Sequence, residues 1–416
     1  MASRKFALTF RAFVLSVSFL LWPAVSIAQP IKIGAMFIMS GPMGGYGKHA
    51  DQAIQMAVDE VNASGGILGR KLEAMVEDTK LNKDIAIGLA NKFIIEDKVD
   101  FLMGPTSSGI ATALSAIAKD NKKILILTQA AADEFTGVNF HPYLFSVLSN
   151  AMMHSRSGAR FMATNPFKRF MCIGPDYSYG HTSWNMFKTM LMELRPDVEI
   201  VGELFPKFLS TDYTEYIHKI NEAKPDAVWS PLWGNDAVVF IRQAMNTGMF
   251  QNIKFAFPVG GALDVLVPMG KDMPQGIYVS SRYFFNSPDS SMNRKFVKAY
   301  YERFKEYPDY MAGETYAGVQ FIKAAVERAG TTDAQALIKA VEREPLAWES
   351  PGGWKVMRAE DHSVVEDVLW GETAFNEEFG FAMPKNYVSV QGEEICRTAE
   401  ELEEVQAGFR KTMTGN

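Results

Sequence analysis

Residues 31–39 read Ile31-Lys-Ile-Gly-Ala-Met-Phe-Ile-Met39, and the chain continues Ser40-Gly-Pro-Met-Gly-Gly-Tyr-Gly47. A nearly unbroken apolar run that ends in glycines predicts a buried strand feeding a turn. From 48 to 64, apolar residues recur at helical spacing through Ala50, Ile54, Ala57, Val58 and Val61, and Gly65-Gly66 stops the helix. Strand, glycine turn and helix in that order open a β-α unit. Working outward, the same reading places strands at 72–77, 100–104 and 124–128, with helices at 84–96 and 107–120. Short joins between alternating strands and helices mean right-handed crossovers about a parallel sheet. The pattern restarts at 169–173, with further strands at 198–204, 227–230, 254–257 and 276–279. Helices at 181–194, 213–223 and 236–246 lie between them, and three more follow at 292–305, 314–328 and 333–343. Two successive α/β halves imply two lobes.

The 416 residues are 47% hydrophobic and 22% charged, a globular composition with room for two cores. With 42 basic against 48 acidic residues there is no cationic surplus to neutralise phosphates, so no nucleic-acid partner is expected. Ahead of the first strand stand Arg4, Lys5 and Arg11 without an acid, an apolar run at 12–21, and Ser26-Ile27-Ala28. This describes a secretory signal peptide over 1–28, cut before Gln29, and hence export to a periplasm. No Cys near the cut could take a lipid anchor, and no later run approaches a membrane span. Removing the three basic residues leaves 39 against 48 acids, a balance of −9. Cys172 and Cys396 are far apart; Cys172 sits in an apolar run, where a buried free thiol is the expected fate.

Catalytic and cofactor patterns fail one by one. Gly47-Lys48 is followed by His49 where a P-loop needs Ser or Thr, and the 40–47 turn lacks the dinucleotide spacing. Gly104-Pro-Thr-Ser-Ser-Gly109 has no serine placed as in a nucleophile elbow. There is no HExxH or CxxC, and the six His residues are dispersed. No enzyme, metal or cofactor is expected. What remains are turns of small and hydroxyl residues, Thr106-Ser107-Ser108 and 129–132, at strand ends and helix starts. Such turns either cap the helix or cradle a carboxylate at the carboxyl edge of the sheet.

Ile33-Gly-Ala, Ser40-Gly-Pro, Tyr46-Gly, Asn62-Ala-Ser-Gly-Gly-Ile67-Leu-Gly-Arg-Lys71, Gly104-Pro-Thr-Ser-Ser108 and Tyr179-Gly180 together resemble a known family. It is the periplasmic substrate-binding proteins of the branched-chain amino acid class of ABC importers, and the likeness runs from about Ile31 to Trp370. The resemblance implies an α/β, two-lobed type I periplasmic binding protein fold, its parallel sheets flanked by helices and its lobes joined by three hinge crossovers. Lobe I would be 29–146 plus 282–358, and lobe II 147–281 plus 359–416. Such a protein, a monomer, holds a small organic ligand in the interlobe cleft and delivers it to an ABC permease in the inner membrane. Carried over, Ser108, beside Ser107, matches the serine that holds a ligand carboxylate, and Ala130 and Ala131 the backbone groups of the next turn. Tyr46, Tyr179 and Trp233 match the aromatic walls.

Two positions depart from the amino-acid binders. Ala132 replaces a threonine that contacts the ligand, and Val259 replaces the acid that pairs with its ammonium. Closing an ammonium into a dry cleft without that acid would cost several kcal/mol. The expected ligand is therefore a carboxylate lacking an α-ammonium, most simply an aromatic acid. An aliphatic acid, an amide or urea-type ligand, a branched-chain amino acid, or a ligand-sensing role are the alternatives. Arg282, beside Tyr283 and Phe284, is either a cation near the cleft or a hinge-surface residue. The tail at 393–406 has helical spacing and reads as a surface helix.

Overall fold

β1 (Ile31–Phe37) takes an inner place in a five-stranded sheet, as its apolar sequence requires. It is flanked by β2 (Leu72–Asp78) and β3 (Phe101–Met103), followed outward by β4 (Ile124–Leu127) and β5 (Leu144–Ser146). All pairings are parallel, with Ile33 opposite Phe101 and Phe101 opposite Ile124. The crossovers are α1 (Gly44–Ala63), α2 (Lys83–Ile95) and α3 (Ser108–Asp120). The computed structural model describes residues 29–414, so the expected leader at 1–28 lies outside the described residues.

Two glycines let α1 and α3 start close to the sheet edge. The Gly47 N–H donates to the Ile38 carbonyl at 2.9 Å, and a Cβ there would lie 2.4 Å from that oxygen. Gly104 has φ +104°, and a Cβ would stand 2.3 Å from the Met36 carbonyl. Both turns thus press their backbone against β1.

α4 (Ala151–Ala163) leads into a seven-stranded sheet. Its parallel part comprises β6 (Arg169–Ile173), β7 (Glu199–Leu204), β8 (Ala227–Trp229), β9 (Lys254–Phe257) and β10 (Tyr278–Ser280). Between them run α5 (Ser178–Leu194), α6 (Thr214–Ala223), α7 (Gly234–Met245), the single-turn α8 (Met249–Asn252) and α9 (Leu263–Met269). The chain then returns to the first sheet's side through α10 (Ser291–Phe304), α11 (Tyr310–Ala329), which packs on α1, and α12 (Ala334–Arg343).

Beyond Arg343 the sequence reading expected no strands, yet five follow. β11 (Leu346–Ser350), β12 (Gly353–Met357) and β13 (Val364–Val365) form a small antiparallel sheet. β14 (Val368–Asn376) and β15 (Phe381–Val390) add antiparallel strands to the edge of the second sheet at β10. Leu346, Trp348 and Ser350 are buried while Ala347 and Glu349 are exposed, the two-residue alternation of a half-covered strand. After α13 (Gly392–Ile395), the tail helix α14 (Ala399–Thr414) does not stand free. Glu401 pairs with the guanidinium of Arg156 on α4, and Phe409 meets Phe140 edge-on at 5.4 Å. Both cysteines are free and buried.

Candidate ligand-binding site

The carboxyl ends of β1, β3 and β4 face the start of α5, the turn after β8 and the turn after β9 across a cavity of about 340 Å³. The first body contributes Tyr46, Ser107, Ser108 and Ala131, and the second Tyr179, Trp233 and Val259. These seven sequence-derived positions share one lining. Ala130 and Ala132 do not: the Ala130 N–H is spent on the Pro105 carbonyl at 3.0 Å, and Ala132, 3% exposed, turns into the short helical turn at 133–136. Ala131 keeps its place, its carbonyl accepting from the Ala151 N–H at 2.7 Å.

Ser107 occupies the N-cap of α3 without making a side-chain cap. Its hydroxyl and the first N–H groups of a 13-residue helix are therefore left for something else, at the end of the helix dipole that favours negative charge. Plain capping, the other sequence reading of Ser107, does not occur.

Aromatic rings converge from both bodies. Tyr46 meets Trp233 edge-on at 5.5 Å, Trp233 stacks on Phe208 at 5.4 Å, and the Trp233 indole N–H donates to the Tyr177 hydroxyl at 2.9 Å. Tyr177, Phe208 and Tyr310 also line the cavity and escaped the sequence reading, since no local spacing marks them. Burial raises the pKa of Tyr177, Tyr179 and Tyr310, so all three stay neutral phenols.

Charge is distributed unevenly. Arg282 is the single ionic side chain of the lining. Its Nε donates to the Ser149 carbonyl at 3.1 Å and its guanidinium lies 5.3 Å from the Tyr310 ring centre. Among the described residues no carboxylate comes within ion-pair distance of it. Nearby His154 is held neutral, by burial first and by Arg282 second, and bonds the Pro258 carbonyl beside Val259 at 3.1 Å. Asp264 lies beyond Tyr46, in an adjoining cavity of about 490 Å³ that shares the Tyr46 and Trp233 wall. The Tyr46 hydroxyl donates to its carboxylate, a bond from α1 to α9 that ties the two bodies together. Burial lifts Asp264 to about 6 and neighbouring Asp309 to about 7.

Residues 30–374 match the family model described as periplasmic binding protein. The chain belongs to the periplasmic binding protein family. It is 25% identical over 339 residues to the Leu/Ile/Val-binding protein homolog 7 of Brucella suis, covering 79% of this chain and 84% of that one. A solute-binding protein of an ABC transporter from Rhodopseudomonas palustris, solved with 3,4-dihydroxybenzoic acid, superposes with a TM-score of 0.78 at 24% identity, over 87% of this chain and 98% of that one. The leucine-, isoleucine-, valine-, threonine- and alanine-binding protein of Brucella ovis, in its closed conformation, gives 0.78 at 20% identity, over 89% and 97%. As a periplasmic binding protein of ABC transport, the chain holds a solute and performs no chemistry on it. Among the described residues no helix is long and apolar enough to cross a membrane.

Proposed function

We propose that the cavity binds a small aromatic carboxylate without an α-ammonium, and that the protein, exported to the periplasm as a monomer, hands this ligand to an inner-membrane ABC permease. One observation carries the ligand class: the lining holds a guanidinium with no carboxylate partner and holds no carboxylate of its own. An anion brings the missing counter-charge. An amino acid would bring an ammonium with nothing to meet it, at a cost of several kcal/mol.

The carboxylate sits between Ser107, Ser108 and Arg282, and the ring lies among Tyr46, Tyr179 and Trp233. The lobes, 29–146 with 282–358 and 147–281 with 359–416, close about three crossovers, at 146–147, 281–282 and 358–359. Calorimetry on the mature chain with benzoates, aliphatic acids, amides and leucine tests this. Aromatic acids are expected to bind and leucine is not; leucine binding with aromatic acids inert overturns it.

A further inference from the structure

Residues 375–414 follow the stretch that matches the family, and they end in α14. This last segment is fixed to both bodies. On the second, Arg156 of α4 donates to the Cys396 carbonyl at 2.9 Å and pairs with Glu401 in the first turn of α14, while Arg160 pairs with Glu394 at 3.3 Å. On the first, Arg397, its side chain 7% exposed, donates to the Asp133 carbonyl and the Thr136 hydroxyl, each at 2.9 Å, in the connection between β4 and β5. Gly137 leaves it room, since a Cβ there would lie 2.9 Å from the Arg397 Nη2. Farther along, Phe409 meets Phe140 of the same connection edge-on at 5.4 Å. Leu402, Val405 and Phe409 are half-buried on one face of α14, with Glu400, Glu403 and Glu404 exposed on the other.

A segment fixed to one body rides with it. A segment fixed to both opposes any rotation of one against the other, because a nearly buried guanidinium would have to leave its acceptors, and charge-assisted hydrogen bonds are the strong ones. In the same structure Tyr46 of α1 bonds Asp264 of α9 across the cavity, so the segment is seated while the bodies are joined at the cleft. We propose that residues 392–414 form a strap across the two bodies that holds the cavity closed, so that this tail sets the balance between open and closed forms and the time a bound solute stays. Arg397 is its anchor on the first body, Glu401 its anchor on the second, and Phe409 its far end. The strap rests on the closing of the lobes proposed above, and not on which solute they close over.

The first measurement needs no ligand. Spin labels attached through Lys83→Cys and Lys207→Cys, two exposed positions on opposite bodies, report their separation by pulsed electron resonance in the intact mature chain, the two native cysteines being buried. With the tail unaltered, the labelled protein is expected to show mainly the short separation of this structure. Arg397→Gln is expected to raise the ratio of open to closed about tenfold, the size of one charge-assisted bond. Phe409→Ala is expected to raise it about threefold, the size of one aromatic edge contact, and leaves Arg397 in place should the first variant fold poorly. Stopped-flow displacement of benzoate is expected to quicken in the same order, since a solute leaves through the open form. Separations unchanged in both variants overturn the proposal whatever their melting temperatures do, because a tail that only stabilises one body lowers melting without moving the bodies. So does a protein that is mainly open before either substitution. If benzoate does not bind, the aromatic-acid reading fails, and the separations still decide the strap.

Discussion

Two cations, the half-buried Arg282 and the buried Lys355, meet opposite surroundings. Lys355, 1% exposed, donates to Glu314 at 3.0 Å and also to Glu366, whose other oxygen accepts from the Ser149 N–H at 2.5 Å. Arg282 reaches the carbonyl of that same Ser149 and has no carboxylate. One cation is surrounded by more acid than it needs, where Ser149 and Glu366 come together. The other is left for something from outside. A charge balanced by acids within the protein holds the fold; a charge that no acid balances marks where an anionic ligand goes.

The largest effect is expected from breaking the satisfied cation. Lys355→Met leaves Glu314 and Glu366 buried side by side without a counter-charge, a loss of about 3–5 kcal/mol. Denaturant unfolding of the ligand-free protein reads it directly. A midpoint within experimental scatter of the natural protein would show that the cluster does not hold the fold together.

Arg282→Gln is the matching cut on the other side. It removes a charge that no carboxylate of the fold balances and one hydrogen bond to a carbonyl, so the ligand-free midpoint moves by less than about 1 kcal/mol. Affinity for an aromatic acid falls about thirtyfold, the worth of a charge-assisted bond of about 2 kcal/mol. Were this variant to unfold as readily as Lys355→Met, Arg282 would belong to the Lys355 cluster and the distinction would collapse.

How much of this contrast is legible in the sequence follows from what each feature depends on. The strand and helix alternation from Ile31 to Arg343 is local, and its periods survive burial; the element at 169–173 matches residue for residue. α4 was missed because its residues, from Ala151 to Met162, are mostly buried yet include His154, Ser155, Arg156 and Ser157, so no apolar stripe stands out. Those polar groups are satisfied by contacts far along the chain: Arg156 by Glu401, and Ser157 by the Trp370 indole at 2.9 Å. The cavity behaves likewise. Ser108, Tyr46 and Tyr179 lie in motifs, whereas Tyr177, Phe208 and Tyr310 carry no pattern until the turns meet. Arg282 stayed ambiguous in the sequence because its role depends on the absence of a neighbouring acid, and that is a property of three-dimensional space.

Protonation offers a finer cut through the same cluster. One lysine cannot keep two buried carboxylates charged, and burial lifts Glu314 to about 8 against the pull of Lys355. The folded chain therefore holds a proton there that the unfolded chain releases above about pH 4.3, the ordinary Glu value. Stability from this source is full below that pH and is lost as pH rises through about 8. Asp236 and Asp309, lifted mainly by burial to about 6 and about 7, act in the same direction. The informative quantity is thus the difference in melting temperature between the natural protein and Glu314→Gln from pH 5 to 9. It is expected to shift steadily in the variant's favour, because the neutral amide has no proton to lose. A flat difference would mean that Glu314 is charged throughout and that Arg282 helps to balance it.

The smallest effect concerns the bond that joins the two bodies at the cavity wall. Tyr46→Phe keeps the ring against Trp233 and deletes only the hydroxyl that donates to Asp264. The unliganded fold is expected to lose about 1 kcal/mol, because the acceptor is left partly unpaired. Since the bond runs from α1 to α9, across the cleft, its loss bears on the closed arrangement more than on either body alone. Dissociation of a bound aromatic acid should quicken about fivefold, with little change in the association rate, because the contacts that form first are untouched. Stopped-flow displacement separates the two rates. A slower association with unchanged dissociation would place Tyr46 at the entrance to the cavity rather than on its closed wall.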